Sequence, residues 1–420
     1  MKNLLLWIGE IFFLAAVTML IVRHNSYPLI IKRASDILIL FSFIIVISAL
    51  FYSKDWKQIF NKIKKHLIGF SLIFIGLTIS SLIGYFLNGR NLGSEGILTF
   101  LRFVEVAAIF FLVSVFQFND KNFFKRAAIC QLSTLAYLPF LFARHINPHD
   151  IMGRFQFFEN WPSNVGYYLI VSIVFTISWF LFYLKPFKWK FIIPYFASVG
   201  FISILLGTQS RASWIAVAIS ILIIFIIWLC KTKAHLLNVF FGAALVFSLV
   251  PLSFLVLPRP MDTIVFLRFF PQIKASRDFE ERPSELVGAI KKQDLASQVS
   301  NFGGRPELWL IYIKKILNQP LGFGLDYQPI NIGRGDQGPH NTPLEALVLG
   351  GPLALIGIGY LFFMSFKNIL KHVYNSGPQN YQWPLYIFVS LFGLFFVSFF
   401  DNMVTFRLMW LMLALATWLI

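Results

Sequence analysis

The chain has 420 residues, of which 57% are hydrophobic, 18% aromatic and 13% charged, and its formal net charge is +17. A water-soluble surface needs about twice this charged fraction, so the composition excludes an ordinary soluble protein. The positive charge is typical of lysine-rich inner loops and anionic lipid head groups, and it does not indicate a nucleic-acid partner.

Repeated apolar stretches long enough to cross a bilayer predict an all-α polytopic membrane protein. The first stretch contains Glu10 and lacks a clean cleavage site, so we interpret it as a retained helix and not as a signal peptide. The predicted helices lie near residues 4–22, 36–53, 67–87, 97–117, 127–143, 165–184, 191–207, 212–230, 236–257, 343–366, 384–400 and 407–420. The sequence thus predicts about twelve transmembrane helices and one long outer loop that contains short helices.

The long loop divides the chain into three predicted parts. Residues 1–257 carry helices one to nine, residues 258–342 form the loop, and residues 343–420 carry helices ten to twelve. Within the loop, residues 306–318 predict a helix that has Pro306 in its first turn, a repeating apolar face, and Pro320 after its end.

Basic residues set the predicted orientation. With the N-terminus inside, the inner loops hold about twice as many basic residues as the short outer loops, so both termini are predicted to be cytoplasmic. The inner basic residues are almost all lysine, whereas arginine predominates outside. Because a guanidinium group can bind phosphate through two hydrogen bonds, the outer face is suited to a phosphate-bearing ligand.

Three polar tracts border the apolar stretches on the outer side: GTQSRAS (207–213), GGRPELW (303–309) and GPHNTPLEALVLGG (338–351). The first places Arg211 at the membrane boundary, where a charge is costly unless it is paired or functional. The second places Arg305 at a helix start, where backbone N–H groups favour an anion. The third places His340 before a membrane helix, and a neutral imidazole there can act as a general base.

Inside the membrane, Arg102 and Glu105 lie three residues apart on one predicted helix. Residues at this spacing are neighbours on a helix surface, so the pattern predicts an internal ion pair. Cys130 and Cys230 both lie in apolar stretches and indicate neither a disulfide framework nor a zinc site.

Several motifs, taken in order, resemble the O-antigen ligase and polymerase superfamily of lipid-linked glycan transferases. They are Gly153 to Phe155 with the following NWPSN, Ser210-Arg211, GRxxxW from Gly304 to Trp309, PLGFGL from Pro320 to Leu325, and HNxPLExxxxGG from His340 to Gly351. They span about residues 150 to 355, and the long loop falls where the family has one.

The resemblance implies transfer of a glycan from an undecaprenyl-diphosphate donor, with inversion at the anomeric carbon and without a metal or another cofactor. His340 matches the family's catalytic base, and Arg211 and Arg305 match the arginines that hold the diphosphate. A further phosphate-binding arginine is expected among Arg268, Arg277 and Arg282, of which we choose Arg282. Arg154 and Asn341 lie within matched motifs and are expected to contact substrate.

The leading hypothesis is therefore an O-antigen ligase, a glycosyltransferase of lipopolysaccharide biosynthesis that uses lipid A-core as acceptor. The expected location is the bacterial inner membrane, with the active site on the periplasmic side and membrane lipids around the helices. An O-antigen polymerase that extends lipid-linked repeats is the main alternative, although one dominant loop favours the ligase. A lipid-linked sugar flippase or transporter is a third hypothesis, but such proteins place polar residues at mid-membrane.

Overall fold

The computed structural model describes most of the helical part of the chain. The described residues are 1–19, 34–51, 56–88, 93–120, 122–130, 162–184, 189–208, 210–232, 236–256, 308–325, 327, 330–331, 336–377, 382–404 and 406–417. The predicted sites Arg154, Arg268, Arg277, Arg282 and Arg305 lie outside these residues. Most of the predicted long loop lies outside them too.

Helices make up nearly all of the described structure. The first group is α1 (Lys2–Thr18), α2 (Ala34–Phe51), α3 (Trp56–Asn88), α4 (Ser94–Asn119), α5 (residues 123–130), α6 (Pro162–Leu184) and a 3-10 turn (Trp189–Phe191). The second group is α7 (Ile192–Thr208), α8 (Arg211–Thr232), α9 (Leu236–Val256), α10 (residues 308–318), β1 (Ile330–Asn331), β2 (Asp336–Gln337), α11 (Thr342–Asn375), α12 (Gln382–Ser398) and α13 (Arg407–Thr417).

Six described helices contain stretches long and apolar enough to cross a membrane, and four more apolar helices are shorter. The six stretches are Ala34–Phe51, Ile63–Phe86, Gly96–Asn119, Arg211–Lys231, Val239–Val256 and Thr342–Asn375. The predicted helical, multi-pass membrane class is therefore confirmed, while the number twelve and the periplasmic position of the loop stay predictions. Of the predicted span 127–143, the described part, residues 127–130, is helical.

The centre of the bundle is formed by α6, α12 and α13. Every residue of α13 is buried, and α6 is buried along nearly its whole described length. Around this centre, α7 and α8 pack on α6, while α4 and α11 pack on α13.

The two longest helices, α3 and α11, form the most extensive contact, and glycines permit their close approach. A Cβ added at Gly76 of α3 would lie 2.5 Å from the carbonyl oxygen of Gly350 in α11. A Cβ added at Gly357 of α11 would lie 2.6 Å from the carbonyl oxygen of Gly69. Small residues at such crossings let helix backbones pack directly, which is a main source of helix association in membranes.

α11 is kinked at Gly351, and residues of the PLGFGL motif bind to the backbone at this kink. Gly351 has φ 63°, and Pro352 follows it, so the carbonyl of Val348 loses the N–H that would normally bind it within the helix. The backbone N–H of Phe323 donates to this carbonyl instead, at 2.6 Å. Part of the PLGFGL motif therefore completes the hydrogen bonding of a broken helix, which is a structural role.

Charged side chains join helices in two places. Arg407 of α13 donates to Ser35 at 2.9 Å, pairs with Asp36 of α2, and lies 2.7 Å from Glu105 of α4. The sequence pattern paired Glu105 with Arg102 on the same helix, whereas the structure pairs it with an arginine from the C-terminal helix. In a second cluster, Arg126 contacts Glu10 at 2.6 Å and Asp120 at 2.8 Å.

Candidate functional site

His340 lies between the short β1–β2 ladder and the start of α11. The ladder is antiparallel and pairs Ile330 with Gln337. His340 has φ 45°, a left-handed conformation that costs a residue with a side chain about 1–3 kcal/mol and persists only where surrounding contacts enforce it. One such contact is the indole N–H of Trp309, which donates to the carbonyl oxygen of Pro339 at 2.9 Å.

Asn341 caps α11 and also ties it to the end of α12. Its side-chain oxygen accepts from the backbone N–H of Leu344 at 3.0 Å, as an N-cap residue does. Its amide nitrogen donates to the carbonyl oxygen of Phe399 at 2.8 Å. The side chain is thus engaged on both sides in holding the helix start, and its predicted contact with substrate stays a prediction.

Asp401, in the turn between α12 and α13, faces His340. Its Oδ1 lies 3.5 Å from Nδ1 of His340 and accepts the backbone N–H of Asn402 at 2.8 Å. Its Oδ2 accepts the hydroxyl of Tyr167, which comes from the first turns of α6. The sequence analysis missed Asp401, although it is the one acidic residue in the short turn between the last two predicted spans.

The backbone around Asp401 is fixed to the start of α11 as well. The hydroxyl of Thr342 donates to the carbonyl oxygen of Asp401 at 2.9 Å and accepts the backbone N–H of Met403 at 2.8 Å. Since Thr342 follows His340 by two residues, the backbones that carry the imidazole and the carboxylate are held together directly. The pair is therefore built into the bundle and does not depend on side-chain contacts alone.

Electrostatics favour an ionised Asp401. Burial raises the pKa of this carboxyl, but hydrogen bonds from His340, Tyr167 and the Asn402 backbone outweigh burial, so the pKa lies below its ordinary value. A carboxylate next to Nδ1 favours the tautomer that has its proton on Nδ1 and a free lone pair on Nε2. With 43% of the His340 side chain exposed, Nε2 can serve as an accessible base.

A second carboxyl group, that of Glu345, lies near His340 and Asp401. Glu345, one turn into α11, faces His340 and the side chain of Asn402. Its Oε2 is buried and has no hydrogen-bond partner among the described residues. The neighbourhood of His340 therefore contains two acidic side chains, of which Asp401 makes the closer, hydrogen-bonded contact.

Arg211 is brought to the same end of the bundle. It is the first residue of α8, and a Cβ added at Gly166 of α6 would lie 2.9 Å from Cβ of Ser213 and 3.6 Å from Cβ of Ser210. The starts of α6 and α8 therefore touch. The next residue of α6 is Tyr167, which binds Asp401 and so connects this contact to His340.

The distribution of lysine distinguishes this end from the other. Six described lysines of the long apolar helices lie away from His340, whereas Lys314 and Lys315 of the short helix α10 lie on its side. The six are Lys57, Lys64 and Lys65 in the first turns of α3, Lys231 at the end of α8, and Lys367 and Lys371 towards the end of α11. Lys231 donates to the carbonyl oxygen of Tyr374 at 2.8 Å, which joins the ends of α8 and α11. Arg211 and His340 thus occupy one end of the bundle, and the six lysines the other.

Among the described residues, His, Cys, Asp and Glu side chains form no cluster of three or more that could hold a metal ion. The groups that do come together are an imidazole, its carboxylate partner, a phenol and, at the same end, a guanidinium. This set can remove a proton from a hydroxyl group and can attract an anion.

The fold and this site define a multi-pass helical membrane protein with acid–base and cationic side chains at one end of its bundle. Residues 196–359 match the family described as O-antigen ligase. This stretch of the chain is thus similar to the O-antigen ligase family, in agreement with the resemblance seen in the motifs. No curated protein matches the chain. The matched residues include Arg211 and His340, whereas Tyr167 and Asp401 lie on either side of them.

Proposed function

We propose that this protein is an O-antigen ligase that transfers a glycan from undecaprenyl diphosphate to a lipid A-core acceptor. The observation that carries the proposal is the contact between His340 and Asp401. It gives the family domain an oriented base at the end of the bundle that Arg211 also occupies. Members of this family act on lipid-linked glycans. Transfer of such a glycan requires a base for the acceptor hydroxyl and a cation for the leaving diphosphate.

In the proposed reaction, Nε2 of His340 removes the proton from an acceptor hydroxyl, whose oxygen bonds to the anomeric carbon of the donor sugar. The bond from that carbon to the diphosphate oxygen breaks, and attack from the opposite face inverts the configuration. Asp401 stabilises the imidazolium that forms on His340. Arg211 and, by resemblance, Arg305 and a loop arginine, which we take to be Arg282, stabilise the charge that develops on the leaving diphosphate.

The lysine distribution described above supports a periplasmic site. Cytoplasmic loops carry an excess of basic residues, so in this proposal we assign the lysine-rich end to the cytoplasm. His340, Arg211 and Asp401 then face the periplasm of a bacterial inner membrane. A donor with its lipid tail in the bilayer would present its diphosphate at this depth.

The test is glycan transfer by the purified protein in detergent, with lipid-linked donor, lipid A-core acceptor and EDTA. We expect the wild type to form product under these conditions. His340→Ala should lose about 10²- to 10⁴-fold in rate, because it removes the base. His372→Ala, at the far end of the same helix, is the matched control and should retain activity. Wild-type rates in the His340→Ala variant would refute the mechanism.

A polymerase uses the same kind of donor, so cells distinguish the two activities. Loss of a ligase leaves long lipid-linked polymer unattached, whereas loss of a polymerase leaves single repeats on the core. A deletion strain complemented with His340→Ala should show the first pattern. The second pattern would identify the protein as a polymerase, and absence of product in the purified assay would favour a transporter.

A further inference from the structure

A cavity of about 390 Å³ lies between α3 and α4, and it is separate from the His340 site. Its walls are apolar apart from two residues, His66 and Ser71, and they include Phe70, Phe110 and Ala107. A volume of this size falls in the range of small-molecule sites, roughly 300–1,000 Å³. The cavity is open on one side, so a molecule in the bilayer could enter it from the membrane.

His66 is the unusual residue in this cavity. Only 5% of its surface is exposed, and neither ring nitrogen has a hydrogen-bond partner among the described residues. Its ring packs on Phe110, with the ring centroids 5.3 Å apart. Polar groups in a membrane helix are normally satisfied by the protein itself. A buried imidazole at the wall of a cavity without such a partner points to a ligand that supplies one.

The depth of His66 identifies the part of a lipid that it would meet. The apolar stretch of α3 begins at Ile63 and its first residues include the exposed Lys64 and Lys65, so His66 lies at the boundary of the membrane. Phosphate and glycerol ester oxygens of phospholipids lie in this boundary region, whereas the hydrocarbon chains extend inwards. The cavity continues from His66 towards Phe74 and Ile75, in the direction of the hydrocarbon.

The charge around the opening specifies the head group. Lys64 and Lys65 are exposed in the turn immediately before His66, and Lys57 is exposed further towards the start of α3. Basic residues next to a membrane helix attract anionic lipids, and each contributes about a fivefold preference. The positive charge at this end of α3 therefore favours a negatively charged phospholipid.

We propose that the cavity between α3 and α4 binds one acyl chain of an anionic phospholipid, with His66 donating a hydrogen bond to an oxygen of its ester or phosphate groups. The lipid belongs to the leaflet at the lysine-rich end. The glycan-transfer site is at the other end of α3, where Ser80 donates to the carbonyl of Leu321. His66 precedes Ser80 by fourteen residues, about 21 Å along a helix, so the donor diphosphate does not reach it.

Native mass spectrometry of the purified protein tests this proposal. The probes are phosphatidylglycerol and phosphatidylcholine with the same acyl chains, and a long-chain polyprenyl monophosphate as competitor. We expect the wild type to retain phosphatidylglycerol at least about fivefold better than phosphatidylcholine. Equal retention of the two lipids, or preferential retention of the polyprenyl phosphate in its place, would overturn the proposal.

Variants locate the lipid in the cavity. Ala107→Trp fills the cavity and should abolish retention, whereas Leu82→Trp, which introduces the same side chain on the exposed face of α3, should leave it unchanged. His66→Phe should reduce the preference for phosphatidylglycerol and leave chain binding intact. If Ala107→Trp does not fold, Lys64→Gln with Lys65→Gln replaces it, since both side chains are exposed and their loss should bring the preference close to unity. Retention like that of wild type in the folded Ala107→Trp protein, or in the lysine variant, would contradict the proposal.

Discussion

Nδ1 of His340 lies 3.5 Å from Oδ1 of Asp401, although 61 residues separate them in the chain. The contact joins the start of α11 to the turn between α12 and α13. Tyr167 of α6 adds a third part of the chain by donating to the other carboxylate oxygen of Asp401. One histidine is thus oriented by segments that are far apart in sequence, and each segment can be altered separately.

Replacing Asp401 by Asn keeps the shape of the side chain and removes its charge. We expect the rate of glycan transfer to fall about 10- to 10³-fold, with little change in KM for the donor, because the imidazolium loses its stabilising partner. Tyr167→Phe, which keeps the carboxylate, should lose less activity. An unchanged rate in Asp401→Asn would leave Asp401 with a structural role only.

Asp401 should also make stability depend on pH. Because its folded-state pKa lies below the ordinary value of 3.8, ionised Asp401 stabilises the fold above that value. This contribution is lost as pH falls through the lower folded-state pKa. In detergent, the thermal unfolding midpoint of the wild type should therefore be higher than that of Asp401→Asn at neutral pH. The difference between the two midpoints should shrink below about pH 4. A difference that grows on acidification would contradict the sign of this pKa shift.

The kink of α11 makes Gly351 sensitive to substitution. Its φ of 63° disfavours a side chain, and an added Cβ would lie 2.6 Å from the carbonyl oxygen of Leu321. Gly351→Ala should lower the free energy of unfolding by at least about 1–3 kcal/mol. Gly359→Ala is the matched control on the same helix, since an added Cβ meets nothing within 4 Å there, and it should be neutral or stabilising by up to about 1 kcal/mol. Similar thermal midpoints for the two variants would argue against the kink.

The ion cluster around Arg407 predicts a large loss of folding stability when one of its charged side chains is removed. Arg407→Leu removes the cation that contacts both Asp36 and Glu105, and we expect it to destabilise the fold by about 3–5 kcal/mol. Combining it with Asp36→Asn and Glu105→Gln should recover much of this loss.

Arg126→Leu is the control for this prediction. It also removes an arginine that bridges two carboxylates, but the Arg126 side chain is 39% exposed against 7% for Arg407. Its cost should be about 1 kcal/mol or less. Equal thermal midpoints for Arg407→Leu and Arg126→Leu would show that burial does not determine the cost.

The motifs of the sequence divide into two groups once they are placed in the fold. His340 and Arg211 lie at one end of the bundle, as a shared role requires. The PLGFGL motif, by contrast, contacts the part of α11 that contains the two glycines after HNxPLE. The backbone N–H of Phe323 donates to the carbonyl of Val348, and Leu321 packs against Gly351. A motif shared with a family therefore marks either chemistry or a demanding backbone geometry, and spacing along the chain does not separate the two.

The sequence by itself determined the helical membrane class, because hydrophobic length is a local property that any window of residues reveals. It also predicted a helix over residues 306–318, of which 308–318 are described and helical, and it pointed to His340 as a catalytic base, which stays a prediction. The partners of these residues were decided by the tertiary structure. Asp401 reaches His340, and Arg407 replaces Arg102 beside Glu105, only because α13 packs in the centre of the bundle. Such contacts depend on how helices cross, which hydrophobic periodicity within a single helix does not specify.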